Sequence, residues 1–172
     1  AHYGYADNKT YYLNAGPCLE LQGSNFLITG HNNDSTMILI NTDDAGSMNW
    51  HKLFTTNSPY PTLALSVSSS ILIRYEVSSQ FTNSRIFTID QSGNFLWGKS
   101  FSNLQGDDVV LWNVIVLNDG NLLAVGRSGR NLIDDTTKML VVKMDASGNL
   151  LWQKLFSING YIKSRVLNCA EL

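Results

Sequence analysis

One twelve-residue phrase occurs three times in this chain and constrains its fold more than any other feature. It reads DDAGSMNWHKLF at 43–54, DQSGNFLWGKSF at 90–101 and DASGNLLWQKLF at 145–156. In each copy Gly stands three residues after the first Asp, Trp stands seven after it and Phe eleven after it. A fixed register of this kind indicates a repeat architecture, in which every unit is one small packing element.

The first half of the phrase predicts a tight turn and the second half predicts a strand. An Asp side chain accepts a backbone N–H two residues on, and Gly adopts a positive φ without steric cost. Residues two apart in a strand share a face, so Trp50, Lys52 and Phe54 should lie together, as should their counterparts. The repeated Lys fits a cationic site, or an aliphatic stem that packs between aromatic rings and protects an edge strand; we favour the second.

Each phrase closes a unit of four predicted strands. A β-rich run precedes every turn, as in TMILINTD, SRIFTID and KMLVVKMD, and its consecutive apolar residues predict a strand covered on both faces. Two further strands lie upstream in each unit, such as CLEL and NFLITG in the first. Four antiparallel strands in about 50 residues, with neighbours on both faces, are typical of a β-propeller blade.

The units resemble the blades of tryptophan-bearing propellers. They are most similar to the D-x-x-G-N-x-x-W repeats of bacterial secreted propellers and more distantly resemble the pyrroloquinoline-quinone-type repeat, from which no cofactor is carried over. The chain is therefore predicted to be all-β, a partial β-propeller of about three four-stranded antiparallel blades plus the first strand of a fourth. As a single propeller segment, 1–172 would contain units at 14–59, 60–106 and 107–160 and a partial unit at 161–172.

The end of the sequence bears on ring closure. CAEL at 169–172 mirrors CLEL at 18–21, which places it as the first strand of a further unit. Propellers usually close with about four to eight blades. We therefore expect a longer natural chain or ring closure by two or more copies, with an open β-solenoid as a third alternative. We expect Cys18 and Cys169 to be two small packed side chains at equivalent positions and not a disulfide.

Composition excludes several classes of partner. The 172 residues are 44% hydrophobic and 15% charged, with a net charge of −2 and scattered Lys and Arg, so no basic patch is present for nucleic acid or a membrane surface. The longest apolar runs, such as 109–117, are far shorter than the roughly 20 residues that span a bilayer. Glycosylation sequons at Asn8 and Asn33, in a chain rich in Asn, Ser and Thr, favour an extracellular or secreted protein.

No motif in the sequence carries reaction chemistry. The three histidines lack metal-ligand spacing, and neither a nucleophile elbow nor a phosphate-binding loop is present. The acidic pairs at 107–108 and 134–135 fit calcium binding or glycoside hydrolysis, but adjacent acids in loops are usually only solvated. We therefore predict a protein that is not an enzyme and has no cofactor or metal.

Loop length supplies the main functional clue. Trp50 and Trp97 are 47 residues apart and Trp97 and Trp152 are 55 apart; the extra residues divide equally between the connection of the second and third strands and the segment before it. In an antiparallel blade the 2–3 and 4–1 connections emerge on one face, and variable loops on a rigid scaffold commonly bind partners. The opposite face should be uniform. The candidate binding residues are His31, Asn32, Asp34, Tyr60, Glu76, Gln80, Asp107, Asp108, Arg127, Arg130, Asp134 and Asp135.

Three functions follow, in order of preference. The first is a structural or protein-interaction propeller segment whose partner is another protein or further copies of itself. The second is a carbohydrate-binding propeller, in which aromatic and polar side chains in loops or between blades hold a glycan. The third is a quinoprotein-like or glycosidase-like enzyme fragment, whose catalytic groups would lie in other blades.

Overall fold

The computed structural model describes residues 17–31, 36–55, 59–67, 69–77, 84–101, 108–129, 137–157 and 169–171. These residues form twelve strands and no helix. The strands make three antiparallel four-stranded sheets, and in each sheet neighbouring strands follow chain order. The predicted all-β class and the predicted four strands per unit are therefore confirmed.

Each sheet contains the four strands of one repeat unit. The first sheet contains β1 (Cys18–Leu21), β2 (Asn25–His31), β3 (Thr36–Thr42) and β4 (Met48–Thr55). The second contains β5 (Pro59–Val67), β6 (Ser70–Val77), β7 (Ser84–Asp90) and β8 (Phe95–Ser100). The third contains β9 (Val109–Val116), β10 (Leu122–Ser128), β11 (Lys138–Met144) and β12 (Leu150–Phe156).

The Asp-x-x-Gly turns have the geometry that the sequence predicts. Oδ1 of Asp90 accepts the backbone N–H of Ser92 at 2.9 Å, and the carbonyl of Asp90 accepts the N–H of Gly93 at 3.0 Å. Gly93 has a φ of 78°, and the equivalent glycines of the other two turns have 78° and 76°. Because L-residues with a side chain rarely adopt this conformation, glycine is required at the position.

Two hydrophobic cores lie between the sheets, one at each junction. Tyr75, Phe87 and Ile89 belong to the core between the first and second sheets. Leu72 and Ile86 belong to the core between the second and third sheets. Adjacent residues of β7 therefore point into different cores, which is why its apolar positions are consecutive.

A buried hydrogen bond also joins the second and third sheets. The hydroxyl of Ser84, at the start of β7, accepts the backbone N–H of Leu111 in β9 at 2.8 Å, and Ser84 is 1% exposed. The first strands of successive sheets lie close together as well, because β5 contacts β1, β2 and β3, and β9 contacts β5 and β7. Each sheet thus packs against the next along its whole width.

In the first and second sheets, the Trp of the fourth strand packs on the turn of the following sheet. Trp50 Nε1 donates a hydrogen bond to the carbonyl of Gln91 at 3.1 Å, and a methyl group on Gly93 would lie 3.0 Å from the Trp50 ring. At the next junction a methyl group on Gly148 would lie 2.5 Å from the ring of Trp97. The close approach of ring to backbone gives glycine a second role in the turn, beyond its φ.

The repeated Lys lies at the same contact. A methyl group on Gly93 would come within 2.9 Å of Lys52 Cγ, so the aliphatic stem packs on the turn of the second sheet. Hydrogen bonds from Asn94 hold the pKa of Asp90 below its ordinary value, and the charge of Lys52 lowers it further. Lys52 therefore combines stem packing with a favourable charge interaction across the junction.

The cysteines differ from each other in burial. Both are free thiols; Cys18 is exposed and Cys169 is partly buried. Burial raises the pKa of the Cys169 thiol. The expectation of two packed side chains is wrong for Cys18, because β1 is an edge strand of the first sheet and its alternate positions face solvent.

Candidate functional site

At one end of each sheet, the segments that connect the second strand to the third differ in length. Between β2 and β3 lie residues 32–35, between β6 and β7 residues 78–83, and between β10 and β11 residues 129–137, which are four, six and nine residues. Since the strands are antiparallel and follow chain order, the connection to the next sheet leaves from the same end. We call this end of the sheets the loop face.

The opposite end is only partly uniform. The spacing from Asp to Trp is seven residues in all three Asp-x-x-Gly turns. The turns between first and second strands, however, contain residues 22–24, 68–69 and 117–121, which are three, two and five residues. Uniformity is therefore a property of the Asp-x-x-Gly turn, which packs on a neighbouring Trp in two of its three copies, and not of the whole end.

Three predicted binding residues occupy equivalent positions at the end of a second strand. Their backbones pair with equivalent positions of the third strand: His31 with Met37, Glu76 with Ser84, and Arg127 with Met139. His31 is 7% exposed and Arg127 is 9% exposed, and both take part in interactions within the protein. Their burial places them in the sheet, beneath the loop face and not on its loops.

The guanidinium group of Arg127 lies over an aromatic ring. Its guanidinium carbon lies 6.0 Å from the centre of the Trp112 ring, a cation–π arrangement between neighbouring strands β9 and β10. The backbone of Asp108, just before β9, accepts the N–H of Gly129 at 3.1 Å and ties the two strands at this end. The same end of the second sheet brings Tyr60 and Glu76 opposite each other as Cα partners.

The remaining predicted binding residues lie outside the described part of the chain. They are Asn32, Asp34, Gln80, Asp107, Arg130, Asp134 and Asp135. Within the described part, no group of three or more His, Cys, Asp or Glu side chains is placed to hold a metal ion. Nor do the described residues include a helix that is long and apolar enough to cross a membrane.

A cleft that the sequence analysis did not find lies between the first and second sheets, next to the loop face. Its volume is about 480 Å³, and aromatic rings form much of its wall. Phe54 and Phe87 have ring centres 5.2 Å apart, and Phe87 stacks on Phe95 at 6.3 Å. Arg85 also lines the cleft, and its buried Nε has no hydrogen-bond partner among the described residues.

Three substitutions relative to the third sheet open this cleft. Counted from the Asp of the turn, Arg85, Gly98 and Ser100 stand where the third sheet has Leu140, Gln153 and Leu155. The corresponding space at the second junction is lined by Leu140, Gln153 and Leu155, and it measures only about 20 Å³. Position-by-position comparison of the repeats was the signal that could have found the cleft from the sequence.

No protein-family model matches this chain, and no curated protein matches it either. Function is therefore inferred from the residues and their geometry.

Proposed function

We propose that the chain is a β-propeller segment that acts as a non-enzymatic scaffold and binds a partner protein through its loop face. In this proposal the three sheets are consecutive blades, and residues 169–171, which form no strand in this structure, contribute to the first strand of a fourth. The recurring contact of Trp50 or Trp97 with the next turn supports blade stacking, as does the contact of each first strand with the preceding sheet.

The observation that carries the binding proposal is the contrast between constant turns and variable connections. The connections of the loop face have four, six and nine residues, whereas the Asp-to-Trp spacing is seven in every copy. A scaffold needs repeated contacts only where its sheets pack, so differences accumulate where side chains remain available to a partner. By their positions in the sequence, the predicted candidates from His31 to Asp135 belong to these connections or to the strand ends beside them.

Site-specific photo-crosslinking from both ends of the sheets tests the proposal. One variant carries the photoreactive amino acid within 130–136, between β10 and β11, and a matched control carries it at the exposed turn residue Ser69 at the opposite end. A partner protein should crosslink to the first position only. Binding of that identified partner should then fall when 130–136 is replaced by a Gly-Ser segment of equal length, with unchanged circular dichroism; retained affinity would reject the loop face.

An extracellular location is part of the same proposal and rests on the two sequons. Glycosylation of Asn8 or Asn33 would add sugar-sized increments to the mass of the peptide that contains that residue. Mass spectrometry of protein from its natural source measures this directly.

The cleft favours carbohydrate binding as a second candidate function. Its volume of about 480 Å³ falls within the range of small-molecule sites, roughly 300–1,000 Å³. The faces of Phe54 and Phe95 offer stacking surfaces for a sugar ring, and the Arg85 guanidinium offers donors for hydroxyl or carboxylate oxygens. The guanidinium favours acidic sugars over neutral ones.

A repeat-swap variant tests the cleft with residues that the protein already uses. In the triple variant Arg85→Leu, Gly98→Gln and Ser100→Leu, the cleft receives the side chains that fill the second junction. Titration of the wild-type chain with uronate-containing oligosaccharides should shift backbone NMR signals around Phe87, and the triple variant should show no such shifts. Absence of binding by the wild-type chain to both acidic and neutral glycans would remove this candidate.

A further inference from the structure

The last strand of the third sheet presents a surface that the other two sheets bury. Trp152, Lys154 and Phe156 share one face of β12, and we call them the β12 surface. Trp152 is 39% exposed and Phe156 is 45% exposed, whereas the equivalent Trp50 and Phe54 are only partly exposed. The sequence pattern is the same in both sheets, and among the described residues the first sheet has a neighbouring sheet over this face, whereas the third does not.

The neighbouring strand in the same sheet, β11, shows the same difference in exposure. Met139 and Val141 are paired with Phe156 and Lys154, and both are partly exposed. Their counterparts in the first sheet, Met37 and Leu39, are 0% exposed beneath the second sheet. The outer face of the third sheet therefore has the composition of an internal junction without the burial of one.

The two internal junctions show what this surface fits. At each of them a Trp ring lies against the glycine of an Asp-x-x-Gly turn, as Trp97 does against Gly148. The Lys two residues later contributes a positive charge to the turn: Asn149 hydrogen bonds hold the pKa of Asp145 down, and Lys99 lowers it further. In the third sheet the ammonium of Lys154 instead lies 5.6 Å from the centre of the Trp152 ring.

A turn of the required kind lies at the other end of the sheet stack. The first sheet carries Asp43 and Gly46 in the same turn geometry, with the N–H of Gly46 donating to the Asp43 carbonyl at 3.1 Å. No heavy atom of the described residues lies within 4 Å of a methyl group built on Gly46. Beside Gly93 and Gly148 that space holds a Trp ring.

We propose that the β12 surface of one copy docks on the Asp43–Gly46 turn of a second copy. By analogy with Trp50 and Gln91, Trp152 Nε1 then donates to the carbonyl of Asp44, and Lys154 lies beside Asp43. The contact is head-to-tail, so it generates a closed ring or a linear assembly. It uses the outer face of the third sheet and the exposed turn of the first sheet, and it does not depend on the loop face.

The described C-terminal residues, 169–171, lie away from the β12 surface. The carboxylate of Glu171 accepts the backbone N–H of Asn118 in the turn between β9 and β10. In the third sheet β9 and β12 are opposite edges, so this contact lies at the edge away from the proposed interface.

Two single variants, each of which blocks one side, test the proposal by analytical ultracentrifugation. Trp152→Ser removes the ring from the β12 surface. Gly46→Asn fills the space beside the turn, and Asn tolerates a positive φ better than other residues with a side chain. We expect the wild-type chain to sediment at a multiple of 19.1 kDa and each variant alone to sediment as a monomer.

Mixing the two variants gives the decisive result. The Gly46→Asn copy retains its β12 surface and the Trp152→Ser copy retains its turn, so an equimolar mixture should form one-to-one dimers and nothing larger. As a matched control, Gly120→Asn places the same residue at a φ of 78° in the turn between β9 and β10, and it should associate like the wild type.

Three results would overturn the proposal. The first is a wild-type chain that remains at 19.1 kDa up to its solubility limit. The second is a mixture of the two variants that stays monomeric. The third is association that survives Gly46→Asn but not Trp152→Ser, because this pattern would mean that two β12 surfaces bind each other.

Discussion

Replacing the glycine of each Asp-x-x-Gly turn by alanine should destabilise the protein to three different degrees. All three glycines have nearly the same positive φ, so each replacement carries the same conformational cost of about 1–2 kcal/mol. The loss of unfolded-state entropy, which favours alanine by about 0.4–1 kcal/mol, is also common to all three. Differences between the variants therefore report what the new methyl group meets.

The surroundings of the three glycines set the order. At Gly46 the methyl group meets no described atom within 4 Å, so the conformational cost stands alone. At Gly93 it lies 2.9 Å from Lys52 Cγ and 3.0 Å from the Trp50 ring, and the flexible Lys stem can move. At Gly148 it lies 2.5–2.8 Å from three ring atoms of Trp97, which adds a steric cost of about 1–3 kcal/mol. With the unfolded-state term subtracted, Gly148→Ala should therefore lose about 1–5 kcal/mol in total.

Urea unfolding followed by tryptophan fluorescence measures the series, at protein concentrations low enough to keep the chain monomeric. The free energies come from linear extrapolation with a common slope. A double-mutant cycle supplies the control: in a Trp97→Ala background the ring is gone, and Gly148→Ala should cost no more than Gly46→Ala. If the three single variants agree within about 0.5 kcal/mol, the Trp rings do not rest on the turns in solution, and the stacking argument fails.

The remaining predictions concern contacts within and between sheets. Trp97→Ala should cost about 3–5 kcal/mol in urea unfolding because it removes a packed ring, whereas Trp152→Ala in the monomer should cost less than about 1 kcal/mol. Ser84→Ala leaves a buried N–H without its acceptor and should cost about 1–3 kcal/mol, with faster exchange of that amide. Lys143, 2.9 Å from Asp119, holds the pKa of that carboxyl at about 2, below its ordinary 3.8. The pair therefore stabilises the fold above about pH 4 and loses this effect as the pH falls towards 2, and Lys143→Met should raise the pKa measured by NMR titration.

The repeat predicts the fold because it fixes local chemistry and packing together. Asp90 and Gly93 specify a turn through a hydrogen bond and a positive φ, and neither depends on distant residues. The consecutive apolar residues of β7 specify coverage on two faces, which requires a sheet on each side. Strand order and the identity of the cores follow from these local rules.

The sequence pattern does not predict the burial of polar side chains at the ends of the strands. His31 and Arg127 are polar and precede predicted loops, so the sequence places them in loops, but strand pairing extends through both of them and their side chains are buried. The cleft was missed for a related reason. It depends on how Gly98 and Ser100 of one sheet face Phe54 of another, so it can be predicted only by comparing the repeats position by position and not from the pattern within one unit.

The composition of β12 explains why its surface would select one partner. Half of the exposed large hydrophobic residues among those described lie in this single edge strand. An exposed edge strand of this kind can pair with strands of other chains without selectivity. Lys154 lies in the middle of the apolar face, and burying its ammonium against an apolar surface would cost several kcal/mol. A turn that presents a carboxylate beside a glycine removes this cost and also admits the Trp152 ring. The Lys thus discourages indiscriminate association of the strand while favouring the one kind of turn that the protein itself carries at Asp43.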